Sequence, residues 1–155
     1  EKCDVNVKFS LAGSCDSDSP SSLAEGQIIE MCESNKVEYL GSRGDLKDIL
    51  AKTDIFVLPS YYTEGIPKVL LEAAGCGCAV ITTDHPGCRD AIVSGETGML
   101  VSPKDSTALA NTLSCLLSDR DLIESMGKAG RQLAVQRFCV TKVIDIHYSL
   151  YYTFV

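Results

Sequence analysis

The chain has 155 residues, is 45% hydrophobic and carries a formal net charge of −7. That length and apolar content suit one globular domain with a substantial core and exclude a disordered chain. The acidic balance argues against a nucleic-acid binder or a protein held by charge on an anionic membrane, and no apolar run reaches the ~18 residues of a membrane span.

The chain opens EKCDVNVKFS, straight into strand-forming residues, with no signal peptide and no initiator Met. A fragment of a longer protein is therefore expected. Residues 5–11 alternate and stop at Ala12-Gly13, as a strand does. Residues 14–22, SCDSDSPSS, read as a surface loop, with Asp16 and Asp18 solvated rather than metal-binding. Ser22 is placed to cap a helix over 23–34, with Glu25 completing a capping box. A strand over 37–40 follows, then the loop Gly41-Ser42-Arg43-Gly44 and a short helix over 45–52 with Leu46, Ile49 and Leu50 on one face.

Residues 54–83, DIFVLPSYYTEGIPKVLLEAAGCGCAVITT, are the most informative stretch. Residues 55–58 and 79–81 are apolar runs of strand type. Between them residues 67–74 have helix composition, ended by Gly75 and Gly77. Together they form a βαβ unit of two parallel strands and a crossover helix. Beyond it come the turn DHPG at 84–87, a turn or two of helix over 88–93 and the glycine-bracketed turn 94–98. A strand over 99–101 and a helix reaching Leu117 follow, the helix carrying Leu109, Leu113, Leu116 and Leu117 as an apolar stripe. A further helix starts at Asp119 or Asp121 and runs to about Arg137. A terminal helix over 141–152 has Val143, Ile144, Leu150 and Tyr151 available for packing. The alternation of short strands and helices predicts α/β class: a Rossmann-like open parallel sheet with helices on both faces, forming one domain over 1–155. A full half of that type has one more βα unit ahead of Val5, and that unit is inferred to be missing.

The eight cysteines are irregularly spaced and scattered through predicted elements. They read as reduced, structural thiols of a cytosolic protein. Zinc-type pairs with nearby histidines are lacking, since His85 and His147 lie far apart. His85 beside Pro86 reads as a structural turn residue rather than a catalytic partner of Asp84, with Arg89 bracing the turn.

In a doubly wound sheet the loops after the strands gather at one edge, so loops 12–20, 41–44, 59–67, 82–88 and 94–98 are expected on a common crevice. Pro67 suits a first helical position, which leaves the N–H groups of Lys68, Val69 and Leu70 free for a phosphate. Glu64 lies on the loop before that helix, with seven residues between it and Glu72. Glu72 falls about two turns into the helix, ~8 Å from its start, too far to touch the same ligand atoms as Glu64. By spacing alone Glu72 suits either vicinal hydroxyls or plain solvent, and Lys68 either a phosphate or solvent.

The runs VEYLGSRGDL, LPSYYTEGIPKVLLEAAGCG, DHPGCRDAI and GETGMLV, in that order, resemble the nucleotide-sugar-binding C-terminal domain of retaining GT-B glycosyltransferases of the group-one, two-glutamate type. The resemblance extends over residues 5–151 and is strongest to members that build bacterial capsule, O-antigen or exopolysaccharide. It implies a nucleotide diphospho-sugar donor, most often UDP-linked, and a sugar or lipid-linked acceptor bound by an N-terminal domain outside this chain. Glu64 would contact the donor sugar as the catalytic carboxylate. Gly65, Ile66 and the N–H groups behind them, with Lys68 and Val69, would hold the diphosphate. Glu72 would hold the ribose hydroxyls, and Ser42 and Arg43 would lie near the base. The resemblance implies no cofactor and no metal, the diphosphate charge being offset by the helix N-terminus and basic side chains. It also implies a cytoplasmic protein, associated peripherally with the membrane in its full-length form. Two departures stand out: the family's upstream Arg and Lys for the diphosphate fall in the missing unit, and Thr63 stands where Arg is frequent. The 155 residues alone are thus expected to bind nucleotide weakly and to transfer nothing. The alternatives are a non-catalytic nucleotide-sugar-binding module and a GT-B-like sugar-nucleotide epimerase.

Overall fold

The computed structural model describes residues 6–15, 22–62 and 65–153. The chain divides into two compact units, Glu1–Leu46 and Lys47–Val155.

In the first unit β1 (Phe9–Ala12) and β2 (Val37–Gly41) pair in parallel, with Phe9 opposite Val37. Between them runs α1 (Glu25–Ser34), the crossover that parallel pairing requires. α1 starts two residues later than the composition predicts, after Ala24 rather than Ser22. The Ala24 N–H donates to the Gln27 side chain at 3.0 Å, so the reaching-back residue is Gln27 and not Glu25. The Ser22 hydroxyl instead turns to the Leu23 carbonyl. β2 ends at Gly41, whose φ of 64° lies in the left-handed region that glycine adopts without penalty.

α2 (Leu46–Leu50) begins on the last residue of the first unit and is shorter than the predicted helix. The second unit then alternates β3 (Ile55–Leu58), α3 (Lys68–Cys76), β4 (Ala79–Thr83), a 3-10 turn (Arg89–Ala91), β5 (Gly98–Val101), α4 (Ser106–Leu117), α5 (Arg120–Arg137) and α6 (Val140–Thr153). Its strands form a parallel sheet in the order β3-β4-β5. The expected α/β class and parallel pairing are observed, with the strands grouped as a two-stranded and a three-stranded sheet, one per unit.

β4 is central, and all five of its residues are buried. Ala79 and Ile81 on one face pack with Val101, Leu116, Ile123 and Met126. Val80 and Thr82 on the opposite face are equally buried, so the sheet is covered on both sides. The leucine stripe predicted for α4 faces this core through Leu109, Leu113 and Leu116. Asp105 and Asp119 cap α4 and α5, accepting from the N–H groups of Ala108 and Leu122.

Gly77 ends α3 with φ 87°, whereas Gly75, predicted to help stop it, lies inside the helix. α5 crosses α3 at this point: a Cβ on Gly127 would sit 2.1 Å from the Gly77 carbonyl oxygen. The glycine is there because the two backbones touch. α6 departs from expectation in its packing. It forms as predicted, yet none of its residues is buried, and Val143, Ile144, Leu150 and Tyr151 are all exposed.

Candidate functional site

Residues at the carboxyl ends of β3, β4 and β5 form the candidate site of the second unit. α3 begins at Lys68, with Pro67 as its buried N-cap residue at φ −60° and ψ 121°. The sequence places Pro67 one position inside the helix; its extended ψ makes it the residue before the first turn. Of the three N–H groups expected to be free, that of Leu70 is taken by the Pro67 carbonyl at 3.0 Å. The first turn is tightened by this bond, a common way of satisfying helix ends.

Lys68 Nζ lies 3.3 Å from Glu72 Oε1, an i,i+4 ion pair with the lysine side chain 89% exposed. The two side chains proposed by spacing for a ligand thus engage each other on one helix face. Glu72 is the fifth residue of α3, so it lies about one turn down rather than two. Val69 is half-buried, and Gly65 and Ile66 are exposed ahead of the helix. Thr63 and Glu64 lie outside the described residues, as do Asp16 and Asp18.

The entry to this loop is gripped by β4. Thr82 Oγ1 donates to the Leu58 carbonyl at 2.9 Å. Thr83 Oγ1 donates to the Ser60 carbonyl. Beside them Pro59, Tyr61, Thr83, Lys104 and Leu109 line a cavity of about 240 Å³. Lys104 Nζ sits 4.6 Å from the Tyr61 ring centroid, and Tyr61 stacks on Tyr62 at 4.6 Å. The hydrogen bond between the two hydroxyls, followed by their charge interaction, holds the Tyr61 phenol above its ordinary pKa.

The turn after β4 is braced as the sequence suggests. Arg89 Nε meets Asp84 Oδ1 at 3.0 Å, and the same guanidinium donates to the Asp84 carbonyl. Asp84 is therefore engaged by Arg89, while His85 Nδ1 lies 3.1 Å from the Pro86 carbonyl oxygen. In the first unit Ser42 and Arg43 are exposed, and Arg43 forms a two-pronged pair with Asp45 at 2.8 and 2.5 Å. Those hydrogen bonds, then the charge of Asp45, raise the Arg43 pKa. Among the described residues no three His, Cys, Asp or Glu side chains group as metal ligands. Among the described residues Cys15, Cys32, Cys76, Cys78, Cys88, Cys115 and Cys139 are free cysteines.

The sequence pattern of glycosyl transferases group 1 matches residues 1–119. The chain belongs to this family. Among its group 1 relatives is the N,N'-diacetylbacillosaminyl-diphospho-undecaprenol alpha-1,3-N-acetylgalactosaminyltransferase of Campylobacter jejuni, 40% identical over 70% of this chain and 28% of the relative. The capsular polysaccharide biosynthesis glycosyltransferase CapM of Staphylococcus aureus is 30% identical over 96% of this chain and 38% of the relative. The crystal structure of Anabaena HepE in complex with UDP superposes with a TM-score of 0.82 at 26% identity, over 93% of this chain and 40% of that one. The group 1 chain described here thus spans between 28% and 38% of the length of those two relatives. The α/β fold matches that of GT-B glycosyltransferases, as the motif order implied.

Several structural features of this group 1 chain carry no sequence signal. Two threonines ending an apolar strand look like ordinary β-formers, and nothing local pairs them with Leu58 and Ser60. The Lys104–Tyr61 contact joins residues 43 positions apart. Only the i,i+4 spacing of Lys68 and Glu72 could have announced their pairing.

Proposed function

We propose that this chain is the donor-binding part of a retaining glycosyltransferase. It takes a sugar from a UDP-linked donor and passes it to a polysaccharide or lipid-linked acceptor bound by a domain outside the chain. The observation that carries this reading is the group 1 match through residues 1–119, which includes the βαβ unit whose helix α3 starts after the carboxyl end of β3. A helix end at that location suits an anion. The UDP complex of a same-fold protein supports a uridine diphosphate ligand. The undecaprenyl-diphosphate substrate named for the Campylobacter relative supports a lipid-linked acceptor.

In this reading Gly65, Ile66, Val69 and the first turn of α3 hold the diphosphate. Lys68 swings from Glu72 to the phosphates, and Glu72 is released to accept two bonds from the ribose hydroxyls. Glu64 acts on the donor sugar. The helix end and Lys68 supply positive potential, so the reaction needs no metal. The enzyme works in the cytoplasm, at the inner face of the membrane where lipid-linked acceptors are presented; no helix among the described residues is long and apolar enough to cross a membrane.

A thermal-shift panel of UDP-, GDP- and ADP-sugars on the full-length protein tests the reading. UDP compounds should raise the melting temperature, since a ligand at 100 times its Kd stabilises the folded state by about 2.7 kcal/mol. Glu64→Ala should abolish transfer and keep the UDP shift. Absence of any nucleotide shift, or interconversion of sugar nucleotides without acceptor, would overturn it.

A further inference from the structure

The β3–β4 ladder stops at the pair Leu58 and Thr82. The next residue on the β3 side is Pro59, which has no N–H to continue it. Beyond that point the chain is held by side chains. Thr82 Oγ1 takes the Leu58 carbonyl and Thr83 Oγ1 takes the Ser60 carbonyl. Both threonines are buried, at 0% and 1% exposure. Successive residues of a strand point to opposite faces, so the two hydroxyls grip the segment from both sides of the sheet. A second tether follows one residue later, where Lys104 sits over the Tyr61 ring. Lys104 has φ 61°, a left-handed conformation that a non-glycine residue adopts only where its surroundings hold it there.

We infer that Thr82 and Thr83, seconded by Lys104, are positioning residues for the donor loop. They set the height and direction at which residues 59–62 leave the sheet. The inference rests on the proposed function for its effect on catalysis, but the mechanical part stands apart from it. The hydroxyls of both threonines are engaged by backbone carbonyls of the Leu58–Ser60 segment. They act through the loop backbone, and the Gly65-Ile66-Pro67 run and α3 follow within a few residues. A hydroxyl is required for this role, which a β-branched apolar residue of equal shape cannot fill. Thr83→Val keeps the volume and removes the donor, leaving the Ser60 carbonyl without that bond. Thr83→Ser keeps the donor and loses only a methyl group.

The test uses the full-length protein with Thr83→Val, Thr83→Ser and Lys104→Met. A misplacement of about 1 Å costs up to about 100-fold in rate. Thr83→Val should therefore lower kcat by roughly 10- to 100-fold, with UDP affinity changed less than about twofold because α3 carries its own first turn. Thr83→Ser should return kcat to within about threefold of wild type, the hydroxyl donor being restored. Lys104→Met is exposed and should fold normally, and should cost about two- to fivefold in kcat as an exposed cation–π contact does. Amide hydrogen exchange over residues 60–62 and 65–66 should quicken at least roughly tenfold in Thr83→Val and stay at the wild-type rate in Thr83→Ser. Wild-type exchange in Thr83→Val, or a serine variant as impaired as the valine, overturns the inference. A parallel fall of UDP affinity and kcat would mark general damage and overturn it too. Should Thr83→Val fail to fold, wild-type kcat and exchange in Lys104→Met would refute the tether. Should the wild-type protein neither bind UDP nor transfer sugar, the proposed function fails, while the exchange data still decide the tether.

Discussion

Gly127→Ala offers the sharpest test of the packing described above. Its new Cβ would lie 2.1 Å from the Gly77 oxygen and 3.0 Å from the Gly77 carbonyl carbon. A carbon–oxygen contact relaxes at about 3.3 Å, so α5 has to retreat by roughly 1.2 Å or α3 has to loosen its final turn. Neither is easy, because both atoms are backbone and Gly77 already holds a left-handed φ of 87°. Overpacking of this kind costs about 1–3 kcal/mol, and a backbone clash belongs at the upper end. Alanine returns about 1 kcal/mol through helix propensity. The net is a loss of about 2 kcal/mol, or a fall in melting temperature of about 4–8 °C at this chain size. Gly75→Ala is the control: it lies in the adjacent helix with nothing within 4 Å of the added Cβ. It should gain up to about 1 kcal/mol by the same propensity term. Thermal unfolding followed by circular dichroism reads both. A Gly127→Ala protein as stable as wild type, beside a Gly75→Ala protein that gains nothing, would refute the close crossing of α3 and α5.

Three further outcomes follow from the same geometry. Asp119→Ala should remove the cap bond to Leu122 and lower stability by about 1 kcal/mol, while Asp119→Asn should retain most of it; equal losses would show that the cap contributes little. Glu72→Gln should weaken UDP binding about tenfold or more by loss of a charge-assisted bond worth roughly 1.5–3 kcal/mol, as read by calorimetry on the full-length protein, and unchanged affinity would remove Glu72 from the ribose. Thiol alkylation should separate Cys139 from Cys78. Hydrogen bonds from the Thr141 N–H and hydroxyl, then the Lys142 N–H, hold the Cys139 pKa below the ordinary thiol value. Burial, then the neighbouring Cys76 and Asp54, pushes that of Cys78 up to about 12. Because the thiolate is the nucleophile, labelling of Cys139 should rise with pH through a value below the usual thiol pKa, while Cys78 stays unlabelled at pH 8 in the folded protein. Mass spectrometry of the labelled peptides would contradict this if Cys78 reacted first.

The elements were largely legible in the sequence. Residues 55–58 and 79–81 announce themselves as apolar runs bounded by glycine, proline and aspartate, and β4 extends the second by Thr82 and Thr83. The stripe of Leu109, Leu113 and Leu116 names the buried face of α4 before any packing is known. These signals are local: period, turn chemistry and caps lie within a few residues of one another. The family likeness was legible for a related reason, since its motifs are short runs in a set order. Errors fell at boundaries and caps. Ser22 and Glu25 make a plausible capping box, but the chain chose Ala24 with Gln27, one residue pair among several that could close the first turn.

What the sequence by itself determined, then, is the alternation of strands and helices, the α/β class and the candidate residues on the loops. Tertiary structure decided which of those residues engage one another. Arg43 turns to Asp45, and Lys68 turns to Glu72. It also decided the features that no pattern announces: the grip of Thr82 and Thr83 on Leu58 and Ser60, Lys104 over Tyr61, and Gly127 against Gly77. Each joins segments more than twenty residues apart. Their partners are chosen by strand register and helix crossing, which exist only once the sheet and its covering helices have packed.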